Sequence, residues 1–343
     1  MNSESPTEYV AALHVHSVYS DGSGTVEEIL AAAKGTGLDI LALTDHNTLE
    51  AREAGYEGWY DDTLLIVGDE VSSRSGHCLA FGIGEHVYHR QPPDDILEDI
   101  RSQGGHSYIA HPHGRYRPLI KTRDHSWKNW EANSATGLEL WSYMFDWVAN
   151  FHYTRFSRYY RNPDTWLTGP PRETVQKWDE LCQRRRVVAL GGVDAHAKKS
   201  RILPFVVFPY DYLFKSIRTH ILCDRALTGH DVQKDTEFVL NTLAEGRCFI
   251  AHDRFSDSKG TRFGSTDRRL SIGDEQTFDQ EIDLEITLPR RAEISFIKNG
   301  QVVASECSDR LVYRANGPGV YRVEARLEDR PWLFTNPIYL RRD

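Results

Sequence analysis

The sequence is poor in the features that mark a secreted, membrane-spanning or nucleic-acid-coating chain. It has only five cysteines in 343 residues, at positions 78, 182, 223, 248 and 307. An odd number without a Cys-x-x-Cys pair argues against a disulfide framework, and core packing of reduced thiols is expected for all five. No apolar run approaches the length that crosses a bilayer. Residues Met1 to Glu8 offer neither a basic region nor an apolar stretch, so a cytoplasmic protein without a secretion signal or membrane partner is expected. A basic surplus is also missing. Lys and Arg number 41 against 50 Asp and Glu, a formal charge of −9, so no long nucleic acid is expected as partner. A small-molecule substrate, including a short nucleotide, remains compatible. The length favours one large domain plus a small one.

What is present is a series of metal-ligand side chains, most at the end of an apolar, strand-like run: His14, His16, Asp21, His46, Glu70, His77, His111, Asp194 and His196. Successive strand side chains point to opposite faces, so His14 and His16 share a face and can chelate one ion. Asp194 and His196 repeat that spacing after the run Val187 to Leu190. In Thr44-Asp45-His46 only one acidic or imidazole side chain can enter the site. His46 is taken as the ligand and Asp45 as the acceptor that orients a ligand imidazole. Asp21, in Ser20-Asp21-Gly22, competes with a reading as a turn aspartate bonded to its own backbone. His77 competes with a reading as an unligated mouth residue that bonds substrate. The centre is therefore expected to hold either two or three divalent ions. Imidazole and carboxylate ligands without thiolate suit Zn, Mn or Fe and do not separate the three. His113 and Arg115, just past Ile109-Ala110-His111-Pro112, are candidates for touching substrate. Glu139 also ends a strand and is read as a residue supporting a ligand, or as a salt-bridged core residue. His86, His89, His220 and His230 show no pairing.

Strand-like runs fall near residues 9–15, 39–44, 63–69, 78–83, 107–110, 137–141 and 187–193. Helices are predicted over 25–35, where Thr25 and Glu28 form a capping-box pattern, over 94–103 and over 172–185. Strands alternating with helices imply parallel pairing, with a site at the carboxyl ends of the strands. The expected fold is an α/β barrel over residues 1–262, with insertions near 113–135 and 141–171. The second insertion is dense in aromatics from Trp141 to Trp166. It reads as a helix packed on the barrel or as a lid that stacks on a flat group, with Arg155, Arg158 and Arg161 available for an anion. Residues 263–343 change to period two, and Asn299-Gly300 signals a hairpin. A small antiparallel β-sandwich is expected there, without chemistry of its own, as a candidate oligomer contact or lid.

These motifs resemble those of the polymerase and histidinol phosphatase (PHP) superfamily over roughly residues 10–255. The run Leu243-Ala-Glu-Gly-Arg-Cys-Phe-Ile-Ala-His-Asp253 and the segment Thr335-Asn-Pro-Ile-Tyr339 are similar to the ending of its CehA/McbA-like branch. The resemblance implies a distorted (β/α)7 barrel, two or three divalent ions and hydrolysis, usually of phosphoesters. In the branch it also implies hydrolases of aryl carbamates. Several members carry a histidine where this sequence has Gly22, which puts one metal position in question.

A metal-dependent hydrolase using a metal-activated hydroxide follows as the expected function, with Glu70 bridging two ions and Asp194 or His196 moving the proton to the leaving group. A small nucleotide or sugar-phosphate-like ester is the first expectation for its substrate, and a carboxyl or carbamate aryl ester the second. A noncatalytic metal-stabilised binding module is the alternative of another class.

Overall fold

The computed structural model describes residues 6–114, 125–131, 134–151, 156–199 and 206–342. Its first strands are β1 (Thr7–Val15), β2 (Ile40–Leu43), β3 (Gly58–Tyr60), β4 (Thr63–Val67), β5 (Asp69–Ser73), β6 (Gly76–Phe81) and β7 (His106–Ala110). Then come β8 (Gly137–Ser142), β9 (Val188–Gly192), β10 (Lys198–Lys199), β11 (Val206–Val207), β12 (Ile217–Cys223) and β13 (Cys248–His252). The last are β14 (Arg262–Ser265), β15 (Glu275–Thr277), β16 (Ile282–Lys298), β17 (Gln301–Ala315), β18 (Gly319–Leu327), β19 (Arg330–Thr335) and β20 (Ile338–Arg341). The helices are α1 (Val26–Ala33), α2 (Glu50–Glu53), α3 (Pro93–Ser102), α4 (Tyr143–Asn150), α5 (Phe156–Arg161), α6 (Arg172–Arg184), α7 (Tyr210–Leu213) and α8 (Val232–Ala244).

The three predicted helices correspond to α1, α3 and α6. Helix α1 starts where expected because Thr25 accepts from the Glu28 amide while the Glu28 carboxylate accepts from the Thr25 amide. Strand directions are more mixed than strand–helix alternation implies. Parallel pairs join β1 to β2, β2 to β4, β7 to β8 and β8 to β9. By contrast, β5–β6, β6–β7 and β1–β12 are antiparallel. The β5–β6 link is a two-residue turn between Ser73 and Gly76, too short for any crossover.

The strands lie in two main sheets, one ordered β14-β16-β18-β19-β13-β12-β1-β2-β4-β3 and the other β5 to β9. They meet at one end through the bridges Val15–Ala195 and His46–Glu70. The seven predicted runs are thereby drawn round one mouth, through two joined sheets of mixed direction. Leu41, Leu43, Leu65, Val67, Leu138 and Ala189 belong to the buried core on which α1, α3 and α6 pack.

The C-terminal strands form a largely antiparallel sheet around Leu284, Ile286, Ile294, Phe296, Val323 and Trp332. Strand β16 serves two layers: its first half pairs with β14 and its second with β18, with a register shift between Thr287 and Ala292. Pro289, which has no amide to donate, lies in that shift. Asn299 and Gly300 turn the hairpin with φ of 52° and 82°, as a type I′ turn requires. Hydrogen bonds cross the expected 262/263 boundary, since β19 pairs with β13. The Asn336 side chain also accepts from the Ala189 amide at 2.7 Å and donates to the Ala189 carbonyl at 2.9 Å, tying the C-terminal segment to β9. Cys307, expected in a core, is exposed on β17, while the other four cysteines are buried. Among the described residues, no helix is long and apolar enough to cross a membrane.

Candidate metal centre

The ligand candidates gather at the mouth because the backbone leaves regular strand geometry there. His14, His111 and Asp194 all have left-handed φ, at 67°, 30° and 49°. Such a conformation costs a non-glycine residue about 1–3 kcal/mol, and it persists where the surrounding structure enforces a side-chain position. At His14 it coincides with a register shift between Ala12 and Val15 in the β1–β2 pairing.

Glu70 is the hub. Its fully buried carboxylate has five imidazoles around it: His14 at 3.1 Å, His16 at 3.2 Å, His46 at 3.0 Å, His77 at 2.8 Å and His111 at 3.0 Å. A lone carboxylate so placed would cost several kcal/mol, so this cluster exists only with compensating positive charge. Asp194 Oδ1 extends the hub, 3.5 Å from His14 Nε2, 3.3 Å from His16 Nε2 and 3.4 Å from His196 Nδ1. Asp21 Oδ1 lies 2.9 Å from His196 Nε2 and 3.6 Å from His46 Nε2. Gly22 passes so close beneath the His16 carbonyl that a Cβ there would collide with it. Asp21 thus comes to the imidazoles from a turn that has no room for a side chain at position 22.

All nine residues of the sequence pattern therefore converge. Among the described residues, three overlapping groups have ligand atoms close enough to hold a cation: His14, His16, Glu70 and Asp194; His16, Asp21, His46 and His196; and His46, Glu70 and His77. The polar atoms fit that role. Among the described residues, His14 Nε2, both His16 ring nitrogens and Glu70 Oε2 are buried without a hydrogen-bond partner. His14 Nε2 and Glu70 Oε2 stand 3.1 Å apart yet out of hydrogen-bond alignment, the relation of two ligands aimed at a shared cation.

Glu139 supports the ligands from behind. Its Oε1 is 3.1 Å from His14 Nδ1 and its Oε2 accepts from the His111 amide at 2.7 Å. A Cβ on Gly192 would collide with this carboxylate, so the glycine makes room for it. Asp45 departs from expectation. It touches no ligand imidazole and accepts instead from the Ser17 amide at 2.8 Å, the Ser17 hydroxyl at 2.6 Å and the Ser20 hydroxyl at 2.5 Å. Its work is to hold the turn that delivers Asp21, since three local donors outcompete a distant ring. His46 is instead steadied by the Ser72 hydroxyl, 2.7 Å from Nδ1.

The charges are strongly coupled. Burial opposes ionisation of Glu70, but His14, His77 and His46, with the bond from His111, outweigh it and hold the carboxyl well below its usual range. Burial likewise pushes His46 down, yet Glu70, then Asp21 and Asp194, win and raise it to about 9. A histidine raised in the folded state contributes stability that is complete below its unfolded pKa and lost as pH climbs through the folded one. Metal-free protein is therefore expected to lose thermal stability from about pH 6.5 to about 9 through His46. Mn affinity should rise over the same window as the ligands shed protons. Melts and metal titrations across that range check both, and a flat metal-free melting temperature would contradict the assignment.

A cavity of about 470 Å³ opens onto the cluster, lined by His46, Glu70, His77, His111, Asp194 and His196. Met144, Phe145, Trp147, Val148 and Phe151 supply an apolar wall. The part of the aromatic insertion that forms α4 packs as a helix on the core and also borders the cavity. Tyr143 and Trp147 bury α4 against the core while the same helix faces the cavity. Arg155 and Tyr153 lie outside the described residues, and neither Arg158 nor Arg161 lines the cavity. Arg115 also lies outside the described residues. His113 does not line this cavity. Its Nδ1 is 2.8 Å from Thr174 Oγ1 and its ring stacks on Trp130 at 5.4 Å.

Two lining residues were missed in the sequence. His125 Nδ1 sits 3.1 Å from His77 Nε2, and burial with the nearby His77 and His111 pushes it down to about 4. Lys198 pairs with Asp21 Oδ2 at 2.8 Å. Lys198 follows His196 by two positions, but the left-handed φ of Ala197 between them breaks strand alternation, so that rule would not have found it. His125 lies in an irregular insertion with no periodic signal.

Comparison with known proteins gives a consistent set of likenesses. The PHP domain profile matches residues 12–121. An uncharacterized protein of Methanocaldococcus jannaschii is 30% identical over 131 residues, covering 32% of this chain and 70% of that protein. The phosphoribosyl 1,2-cyclic phosphate 1,2-diphosphodiesterase of Eggerthella lenta is 39% identical over 80 residues, 21% of this chain and 30% of that enzyme. Among solved structures, a two-domain protein from Bacteroides vulgatus containing a predicted PHP-like metal-dependent phosphoesterase is similar over 97% of this chain and 95% of its own. Its TM-score is 0.49 at 14% identity.

Proposed function

The chain belongs to the PHP superfamily, and on that premise we propose that it is a metal-dependent hydrolase acting on a phosphoester of a small organic molecule. The observation that carries the reading is the buried Glu70 carboxylate ringed by five imidazoles and flanked by Asp194. His14, His16, Glu70 and Asp194 would hold one divalent ion, His16, Asp21, His46 and His196 a second, and His46, Glu70 and His77 bound a third position. Bound ions would supply Lewis acidity and an acidified water near neutral pH. Zn, Mn and Fe all suit this donor set.

The chain's own groups do the rest. Glu139 fixes the His14 ring through Nδ1 and leaves Nε2 aimed at the centre. Asp194 and His196 line the cavity and are the groups placed to pass a proton to a departing alkoxide. The apolar wall of α4 keeps bulk water from one side of the reacting group, which strengthens every charge interaction there. Phosphoesters are favoured by the likeness to a cyclic-phosphate diesterase. The apolar wall favours the second reading, a carboxyl or carbamate ester with an aryl part. A noncatalytic module would have little use for a cavity of about 470 Å³ open to the ligands.

Mn-, Zn- and Fe-loaded protein assayed on nitrophenyl phosphate, a bis-nitrophenyl phosphodiester and nitrophenyl carboxylate and carbamate esters decides among them. Phosphoester turnover abolished by Asp194→Ala is the expected result. Turnover confined to the carbon esters would replace it with the second reading. No turnover with any metal, together with unfolding on chelation, would leave the binding module.

A further inference from the structure

The cavity over the metal centre is walled by carboxylates, imidazoles and apolar side chains, with one exception. Lys198 is the only lysine or arginine among the described residues that line it. Asp21, Glu70 and Asp194 line the same cavity, and the chain as a whole carries a formal charge of −9. An anionic substrate approaching this mouth meets mostly charge of its own sign, so a single ammonium there carries weight.

The backbone delivers that ammonium. Ala197 has a left-handed φ of 46°, so Lys198 does not continue the alternation of Asp194 and His196. Strand β10 then pairs Lys198 with Val207 and Lys199 with Val206 of β11. Ala197, Lys198 and Val207 line the cavity, whereas Lys199 and Val206 do not. The short ribbon thus presents one lysine to the cavity and keeps the next off it.

Its contact fixes where the charge sits. Lys198 Nζ donates to Asp21 Oδ2 at 2.8 Å, while Asp21 Oδ1 faces His196 Nε2 at 2.9 Å and His46 Nε2 at 3.6 Å. Nζ is therefore one carboxylate's width from the oxygen that joins the candidate ligands His46 and His196. An ammonium has three protons, and Nζ has no other hydrogen-bond partner among the described residues. The side chain is 58% exposed, so its remaining donors are open to a ligand. A structural use does not account for the pair. One so exposed adds little to stability, and Asp45 already holds the turn that carries Asp21. We propose that Lys198 is the anion anchor of this site, donating from Nζ to a nonbridging oxygen of the substrate's phosphoryl group. The identity of that anion rests on the phosphoester reading. A lysine meets phosphate as a point charge, so it can keep its bond to Asp21 while it holds the ligand.

Calorimetric titration of inorganic phosphate into Mn-loaded protein tests the anchor on the wild type, Lys198→Met and Lys199→Met, with Mn content measured in the same samples. Lys199→Met makes the same change of charge one residue further on and off the cavity, so it controls for the general field. Phosphate should bind the wild type and Lys199→Met alike, and Lys198→Met about tenfold more weakly through loss of one charge-assisted hydrogen bond. Mn content should be equal in all three. Unchanged phosphate affinity in Lys198→Met, an equal loss in Lys199→Met, or a wild type that does not bind phosphate would overturn the anchor. Loss of Mn from Lys198→Met would overturn it too, by making the lysine a support for Asp21. A Lys198-dependent phosphate site without turnover of nitrophenyl phosphate or the bis-nitrophenyl phosphodiester would instead sink the phosphoester reading and leave the anchor standing for another anion.

Discussion

Glu70→Gln is expected to strip the protein of most of its bound metal and to lower turnover roughly a thousandfold, because it removes one partner of a buried charged cluster at a cost of about 3–5 kcal/mol. The substitution preserves volume, so packing around position 70 is little disturbed. It changes charge alone, and it places an amide donor where five imidazoles within 3.2 Å need an acceptor. Metal content after gel filtration and initial rates at saturating Mn measure the two effects. If glutamine retains the full complement of ions, Glu70 is not the shared ligand and the cluster needs another bridge, for which Asp194 is the other buried carboxylate among the nine candidate ligands. Circular dichroism separates metal loss from collapse.

Asp179→Ala should have the largest effect on stability of any change distant from the metal centre. Arg322 is 2% exposed and lies beneath α6, with Nε and Nη2 donating to Asp179 at 2.7 and 2.8 Å. Its third nitrogen, Nη1, donates to Glu324 at 2.6 Å, and the guanidinium stands 5.0 Å from the Trp178 ring. Losing Asp179 leaves a buried cation with half its support. A cost of about 3 kcal/mol is expected, at the low end of the range for a broken buried pair because Glu324 remains. At 2–4 °C per kcal/mol, the melting temperature should fall by roughly 10 °C. Asp179→Leu combined with Arg322→Met should recover most of it, since a buried pair is replaced by apolar volume. Calorimetry on the two variants gives the answer, and a fall under about 2 °C for Asp179→Ala would show that the pair contributes nothing net.

The contrast between these two sites shows what could be read in advance. His14, His16, Asp194 and His196 were legible because two ligand residue types two apart at the end of an apolar run are a local signal, although left-handed φ at His14 and Asp194, and not regular strand alternation, sets where they point. Thr25 and Glu28, or Asn299 and Gly300, were legible for the same reason. Asp179 and Arg322 lie 143 residues apart, and no periodicity links them. His220 is a sharper case. It had no apparent partner in the sequence, yet it is fully buried, 2.9 Å from Glu8 and 3.0 Å from Asp253. Glu8 stands 212 residues before it, so only the β1–β12 pairing could reveal the contact. Asp45 was misread because the alternation rule says which way a side chain points and not which donor it meets first. The direction of β6 was misread because the hairpin from Ser73 to Gly76 overrides the expectation of parallel crossovers.

The pairing of β13 with β19 and the amide clasp of Asn336 on Ala189 have a bearing on how this chain can be cut or rearranged. A version ended at residue 262 would keep every candidate ligand and still lose the strand that covers the outer margin of β13. Phe249 and Ala251, now enclosed, would flank an open ladder of amides and carbonyls, the kind of margin on which chains stack into aggregates. Loss of the clasp would also loosen β9, whose far end delivers Asp194 and His196. The C-terminal strands thus shield, within one molecule, the adhesive margin of the sheet that carries part of the candidate metal centre.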